Sequence, residues 1–278
     1  MVYIATIVAA TFFHKTVIAE TKAPYLLIAL YQSITAVIAL VYTAFNTYAT
    51  GNFQALTQDT AMKHESIPEH ALKHWKPFAY ILLYLFSEEG FWLSLSSLSL
   101  FRQQLIYLSY PLFAAIFTWV WVISGRGGRP TDGIKGERML KVAALAGLLV
   151  LCWSYELSFG WCISVVGVAM RGFMNVITRD LITSGDHIAS ELVMSASSAL
   201  AFRALSSCYS STEWARIWPH LAELSWEIYR KAIATGVCYG MAQLIGMEIL
   251  RKWETAKGCW IMVVPAAVGV VGCLAMKI

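Results

Sequence analysis

Apolar residues run along this chain in long blocks separated by short polar connections. Windows of about 19 residues dominated by aliphatic and aromatic side chains fall at 2–19, 25–48, 78–101, 103–123, 139–155, 157–178, 189–208, 231–250 and 258–276. Each is a candidate membrane-crossing helix, and the window at 189–208, rich in Ser and Ala, is the weakest. The longer polar connections are 49–77 and 124–138. The second, SGRGGRPTDGIKGER, mixes Gly and Pro with charge and reads as a flexible loop.

Residues 213–230 carry a different pattern. Trp214, Trp218, Leu221, Leu224 and Ile228 recur at helical spacing, while Glu213, Arg216, Glu223 and Glu227 fall largely elsewhere on the wheel. Trp-rich amphipathic helices of this kind lie in the membrane interface, and Pro219 would kink or restart one. The alternative is that the stretch simply leads into the eighth window.

Composition says what solvent these windows see. Of 278 residues, 58% are hydrophobic and 14% are charged, and the mean hydropathy is +0.59. Soluble domains carry roughly 25% charged residues, so this chain has too few polar groups to cover a water-exposed surface. The expected fold class is an all-α polytopic membrane protein. Cys152, Cys162, Cys208, Cys238, Cys259 and Cys273 stand apart in sequence and read as small packing residues. The net charge of +4 comes mostly from loops and implies no nucleic-acid partner.

Charge also suggests an orientation. Connections after even-numbered windows hold twelve Lys and Arg, and those after odd-numbered windows, with the tail, hold seven. By the positive-inside rule the N-terminus and the 124–138 loop face the cytosol. The first window begins at Val2 with no basic, Ser-rich leader before it, which points to the Golgi or endoplasmic reticulum membrane rather than a plastid envelope.

The chemistry lies in the polar residues inside the windows. A charged side chain at the centre of a membrane helix costs roughly 2.5–3.5 kcal/mol on insertion scales, so it faces a cavity or a partner. Arg171 lies about 10 Å inside the nearer end of its window, one turn before Asn175. It is a candidate ligand for a phosphate or carboxylate, which a guanidinium grips through two donors. The equal alternative is an ion pair with Glu88 or Glu89, which as neighbours on a helix cannot point the same way. Arg203 is a further candidate, or an interfacial residue if its window is misplaced. Glu248 is another, or the partner of Arg251 three positions on. Gln103, Gln104 and Tyr107 form a polar patch suited to a sugar or base, or to helix packing. His70 and His74 are one turn apart in the 49–77 loop, a spacing compatible with a metal but lacking a third ligand. No strand followed by a Gly-rich phosphate loop, nucleophile elbow or His-Glu-x-x-His pattern occurs. Neither an enzyme nor a bound cofactor is expected.

Three stretches resemble a known family. ELSFGW at 156–161, followed by NVITRDL at 175–181, is similar to the sixth helix of the triose-phosphate translocator and nucleotide-sugar transporter branch of the drug/metabolite transporter superfamily. HKTVIAETKAPYLLIALYQS at 14–33 resembles its connection between helices one and two, and GFWLSLSSLSLFRQQLIYLSYPLF at 90–113 resembles its stretch across helices three and four. The resemblance covers most of residues 1–182. It implies one transmembrane transporter domain over 1–278, built from inverted five-helix repeats at 1–155 and 156–278, the second one helix short of the family's ten.

It also implies an antiporter of a phosphorylated metabolite, a nucleotide sugar or sugar phosphate, with lipid as surroundings and a homodimer left open. Lys15 then matches the lysine of the family's Asn-Lys pair, though an interface anchor explains it equally well. Substrate contacts are expected from Lys15, Glu89, Gln104, Tyr107, Arg171, Asn175, Arg203 and Glu248. Two departures stand against these. Tyr107 occupies the place of a family lysine before Pro111, and the last window lacks the family's Lys-Arg pair. They leave open a different small metabolite, or a scaffold that has lost transport.

Overall fold

The computed structural model of the protein describes residues 2–50, 75–124, 134–182, 188–252 and 255–276, and helix is the only regular element among them. The helices are α1 (Val2–Thr21), α2 (Pro24–Thr50), α3 (Trp75–Ser97), α4 (Leu100–Leu108), α5 (Tyr110–Ile123), α6 (Ile134–Trp153), α7 (Phe159–Ile182), α8 (Ile188–Ser210), α9 (Glu213–Ile217), α10 (Trp226–Lys252) and α11 (Thr255–Met276). A 3-10 helix covers Trp218–Glu223.

Among the described residues five helical spans are long and apolar enough to cross a membrane: Val2–Thr21, Pro24–Tyr48, Leu100–Ile123, Phe159–Arg179 and Trp226–Leu250. A helix satisfies its own backbone groups, so a bilayer accepts it. Val37, Val41, Phe45, Leu145, Leu149, Val271 and Leu274 point outward and exposed, as they would toward lipid. The chain is an all-helical integral membrane protein by this composition. The other expected windows also form helices, but α3 carries Glu88 and Glu89 and α8 its many serines.

The packing has a regular scheme. α1 lies against α10, α3 against α7, and α2 against both α8 and α10. The α4–α5 segment touches α6, α7 and α11. The α3–α7 pair runs antiparallel and very close. A methyl group placed on Gly90 would come within 3.2 Å of the Ile163 carbonyl oxygen, and one on Gly167 within 3.2 Å of that of Ser87. Small residues at such crossings let backbones approach and pack without any hydrophobic drive. Gly167→Val is therefore expected to cost about 1–3 kcal/mol through overpacking, read as a lower unfolding temperature in detergent. An unchanged temperature would contradict the close approach.

The fourth window is not one helix. Pro111 has no N–H to give the carbonyl one turn back, and the chain divides at Ser109. There the Ser109 amide donates to Ile106, and the Leu112 amide donates to Ser109, both at 3.0 Å. Pro265 lies inside α11, which packs on α4.

The amphipathic stretch is shorter and more tightly docked than its periodicity predicts. It comprises α9 and the 3-10 helix that includes Pro219, and α10 begins at Trp226. Trp214 and Trp218 lean together at 4.8 Å with exposed faces. Glu213 accepts from the Tyr25 and Leu26 amides at 3.1 and 3.3 Å, the orphan donors of the first turn of α2. Arg216 donates to the Lys22 carbonyl, where Lys22 takes the left-handed conformation that closes α1. Burial pushes the Glu213 carboxyl above its ordinary range, and the two amides oppose that shift.

The loop at 124–138 lies mostly outside the described residues, as do His70 and His74. Ser124 is described and exposed. In a variant without native cysteines, Ser124→Cys is expected to react with an impermeant thiol reagent in sealed cytosol-side-out vesicles. Labelling only after the vesicles are opened would reverse the topology.

Candidate functional site

Arg171 stands at the middle of α7, since the helix continues past the apolar window to Ile182. Roughly 16 Å of helix separates it from the nearer end, beyond the reach of a snorkelling side chain. It has a partner. Arg171 Nη1 donates to Glu88 Oε1 at 2.9 Å, with 12% of the arginine side chain and none of the glutamate exposed. Gln243 Nε2 donates to the same oxygen at 3.3 Å and also meets the Tyr239 hydroxyl. The ion pair expected as an alternative is present, and it joins α3, α7 and α10.

The same guanidinium opens onto a cavity. Tyr3, Ile7 and Thr11 of α1 form one wall. Phe91 of α3, Gln104 and Tyr107 of α4, and Tyr110 of α5 form another. Arg171, Tyr239, and Pro265 with Ala266 of α11 complete it. The cavity holds about 40 Å³, room for about one water. Ligand pockets are typically about 300–1,000 Å³, so this cavity is too small for a metabolite as it stands. The break before Pro111 borders it through Tyr107 and Tyr110, and Pro265, inside the continuous α11, borders it from the other side.

Behind Phe91 lies a rigid aromatic wall. Trp92 is fully buried and touches the rings of His14, Phe91 and Tyr239 at 4.8 Å and of Tyr31 at 5.1 Å. His14 Nδ1 shares a hydrogen bond with the Tyr31 hydroxyl at 3.2 Å. Further along, the Tyr84 hydroxyl donates to Gln32 at 2.9 Å and lies 3.0 Å from the Ser197 hydroxyl. These polar contacts tie α1, α2, α3 and α8 behind the cavity.

The eight expected site residues therefore separate. Gln104, Tyr107 and Arg171 line the cavity, and Gln104 also donates to Gln103 at 3.1 Å. Asn175 sits one turn beyond Arg171 and donates to the Tyr110 hydroxyl, which positions a cavity residue. Lys15 is turned away. Its Nζ donates to the Leu98 carbonyl at 2.7 Å and to that of Leu95, so it closes the C-terminal end of α3. Glu89 pairs with Arg203 at 2.7 Å on the outer side of α3. It borders a more open groove of about 330 Å³ formed with Phe86, Leu93, Cys162 and Val166. Glu248 is half-buried in α10 and does not line the cavity, and the Arg251 side chain lies outside the described residues.

Tyr3, Thr11, Phe91, Tyr110 and Tyr239 belong to the cavity and escaped the sequence reading. Tyr239 and Gln243, four apart on one face of an apolar helix, were a usable signal. Tyr3 had none, being one aromatic among many. Among the described residues no three His, Cys, Asp or Glu side chains gather as a metal site. The chain matches no protein-family model and no characterised protein.

Proposed function

We propose that the protein is a secondary transporter that exchanges a phosphorylated metabolite, a nucleotide sugar or sugar phosphate, across an internal membrane of the cell by alternating access. The observation that carries this reading is the intramembrane Arg171 opening onto a cavity walled by residues from both 1–155 and 156–278. Buried membrane charges mark substrate paths by default, and a guanidinium suits a phosphate. The tyrosines and Phe91 around it offer faces for a base or sugar.

The packing scheme supports two inverted repeats. If α4–α5 counts as one span and α9 is left aside, every span except α6 can be exchanged with the one five positions away. The α1–α10 pair then becomes α7–α3, and α2–α10 becomes α8–α3. The α2–α8 and α4–α5–α11 pairs map onto themselves. Pro111, where α4 gives way to α5, and Pro265, inside α11, occupy corresponding spans beside the cavity, and Pro-interrupted segments at corresponding positions point to transporter binding sites.

Uptake into proteoliposomes preloaded with nucleoside monophosphates, sugar phosphates or inorganic phosphate tests the reading. Exchange for one of these, dependent on Arg171, is the expected result. A scaffold without transport is the second reading, favoured by one observation: Glu88 already neutralises Arg171. Failure of exchange with every counter-substrate would select it.

A further inference from the structure

Glu88 uses only one oxygen of its carboxylate. Both donors that reach it, Arg171 at 2.9 Å and Gln243 at 3.3 Å, bond to Oε1, while the buried Oε2 has no hydrogen-bond partner. Strong Arg–carboxylate pairs make two parallel bonds; this pair makes one. Arg171, on its side, lines the cavity and commits one of its five N–H donors to Glu88. An anion entering the cavity with two free oxygens would grip that guanidinium more completely than Glu88 does.

We propose that Glu88 is a resident counter-anion, which a phosphate ligand displaces from Arg171, and that Glu88 takes up one proton as it is displaced. The inference rests on reading the cavity as an anion site. A carboxylate stripped of its cation and shut away from water neutralises rather than remain charged. The proton comes from bulk solvent and enters with the anion, before Glu88 is shut away; it adds to a Glu88 oxygen, and no other bond changes. When the anion leaves, the proton leaves and the ion pair re-forms. Each anion bound thus brings one proton with it.

The surroundings direct that proton to Glu88. Arg171 is the cation facing it from α7. The tyrosines nearby are Tyr3 from α1, Tyr80 and Tyr84 on α3 itself and Tyr107 from α4, with Gln243 and Tyr239 from α10. Tyr84 in turn is held by Gln32 of α2 and Ser197 of α8. Glu89 faces Arg203 on the other side, and Lys15 is held by the end of α3. Among the described residues no histidine or second carboxylate acts on Glu88.

The test uses inorganic phosphate as probe, with exchange in proteoliposomes and binding to purified protein measured on both sides of neutrality. Phosphate itself titrates there, so native protein is compared with Glu88→Gln at each pH. One coupled proton weakens binding to the native protein by about tenfold more per pH unit than to the variant. The variant, lacking the competing carboxylate, binds phosphate more tightly at alkaline pH. The native protein alone offers a second readout: phosphate should raise an infrared band of a protonated carboxyl group. Exchange without that band, or with equal pH dependence in both proteins, would overturn the inference and leave the transporter reading standing. Absence of any phosphate binding or exchange by the native protein would overturn the inference. If the other counter-substrates fail as well, the transporter reading falls with it.

Discussion

Arg171→Met is expected to lower stability by about 3–5 kcal/mol, because it leaves a buried carboxylate without its cation. Glu88 has no exposed surface and one remaining donor, Gln243. Met itself is well tolerated in an apolar helix, so the loss comes from Glu88 and not from the new side chain. Adding Glu88→Gln removes the carboxylate that must otherwise stay charged or be protonated, and should return the unfolding temperature to near the native value. Arg171→Met that unfolds with the native protein would mean that the pair contributes nothing. The double variant also separates two roles of Arg171. Restored stability without restored exchange assigns the guanidinium to the substrate; restoration of both would make it a strut.

Trp92→Ala is expected to cost a similar amount, about 3–5 kcal/mol, by a different route. Among the described residues Trp92 is the largest fully buried side chain, and it packs against rings from α1, α2 and α10. Its removal opens a hole where four helices meet, directly behind Phe91 and Tyr239 of the cavity. These walls are held from both ends, so they collapse only partly into the space. Trp92→Phe should lose a smaller part. Thermal unfolding of the two variants in detergent checks this, and a stable Trp92→Ala would show that the aromatic wall is not what orders the cavity.

Much of the fold was legible because lipid imposes one rule, that apolar windows become helices. The depth of Arg171 was underestimated, because the helix continues past the apolar window to Ile182. The different directions of Glu88 and Glu89 followed from helical spacing alone. The partners did not. Arg171 could meet either glutamate by sequence, and only the crossing at Gly90 and Gly167 brings Glu88 to it. Lys15 looked like a substrate ligand by resemblance, yet the end of α3 takes it, a contact across 83 positions of chain. Glu213 capping α2 from 188 positions away is equally invisible to local patterns. Tyr3 and Tyr110 carry no motif of their own; they are found only once the helices converge on the cavity.

Exchange by the folded Arg171→Met/Glu88→Gln protein in proteoliposomes bears hardest on the anion-site account, set beside the native protein and Arg171→Lys. The account predicts exchange of a phosphorylated substrate by the native protein. Arg171→Lys should show weakened affinity, since an ammonium lacks the planar two-donor fork. The stable double variant should show none. Exchange at the native rate by that variant would contradict it, because transport would then proceed with neither charge of the pair in place.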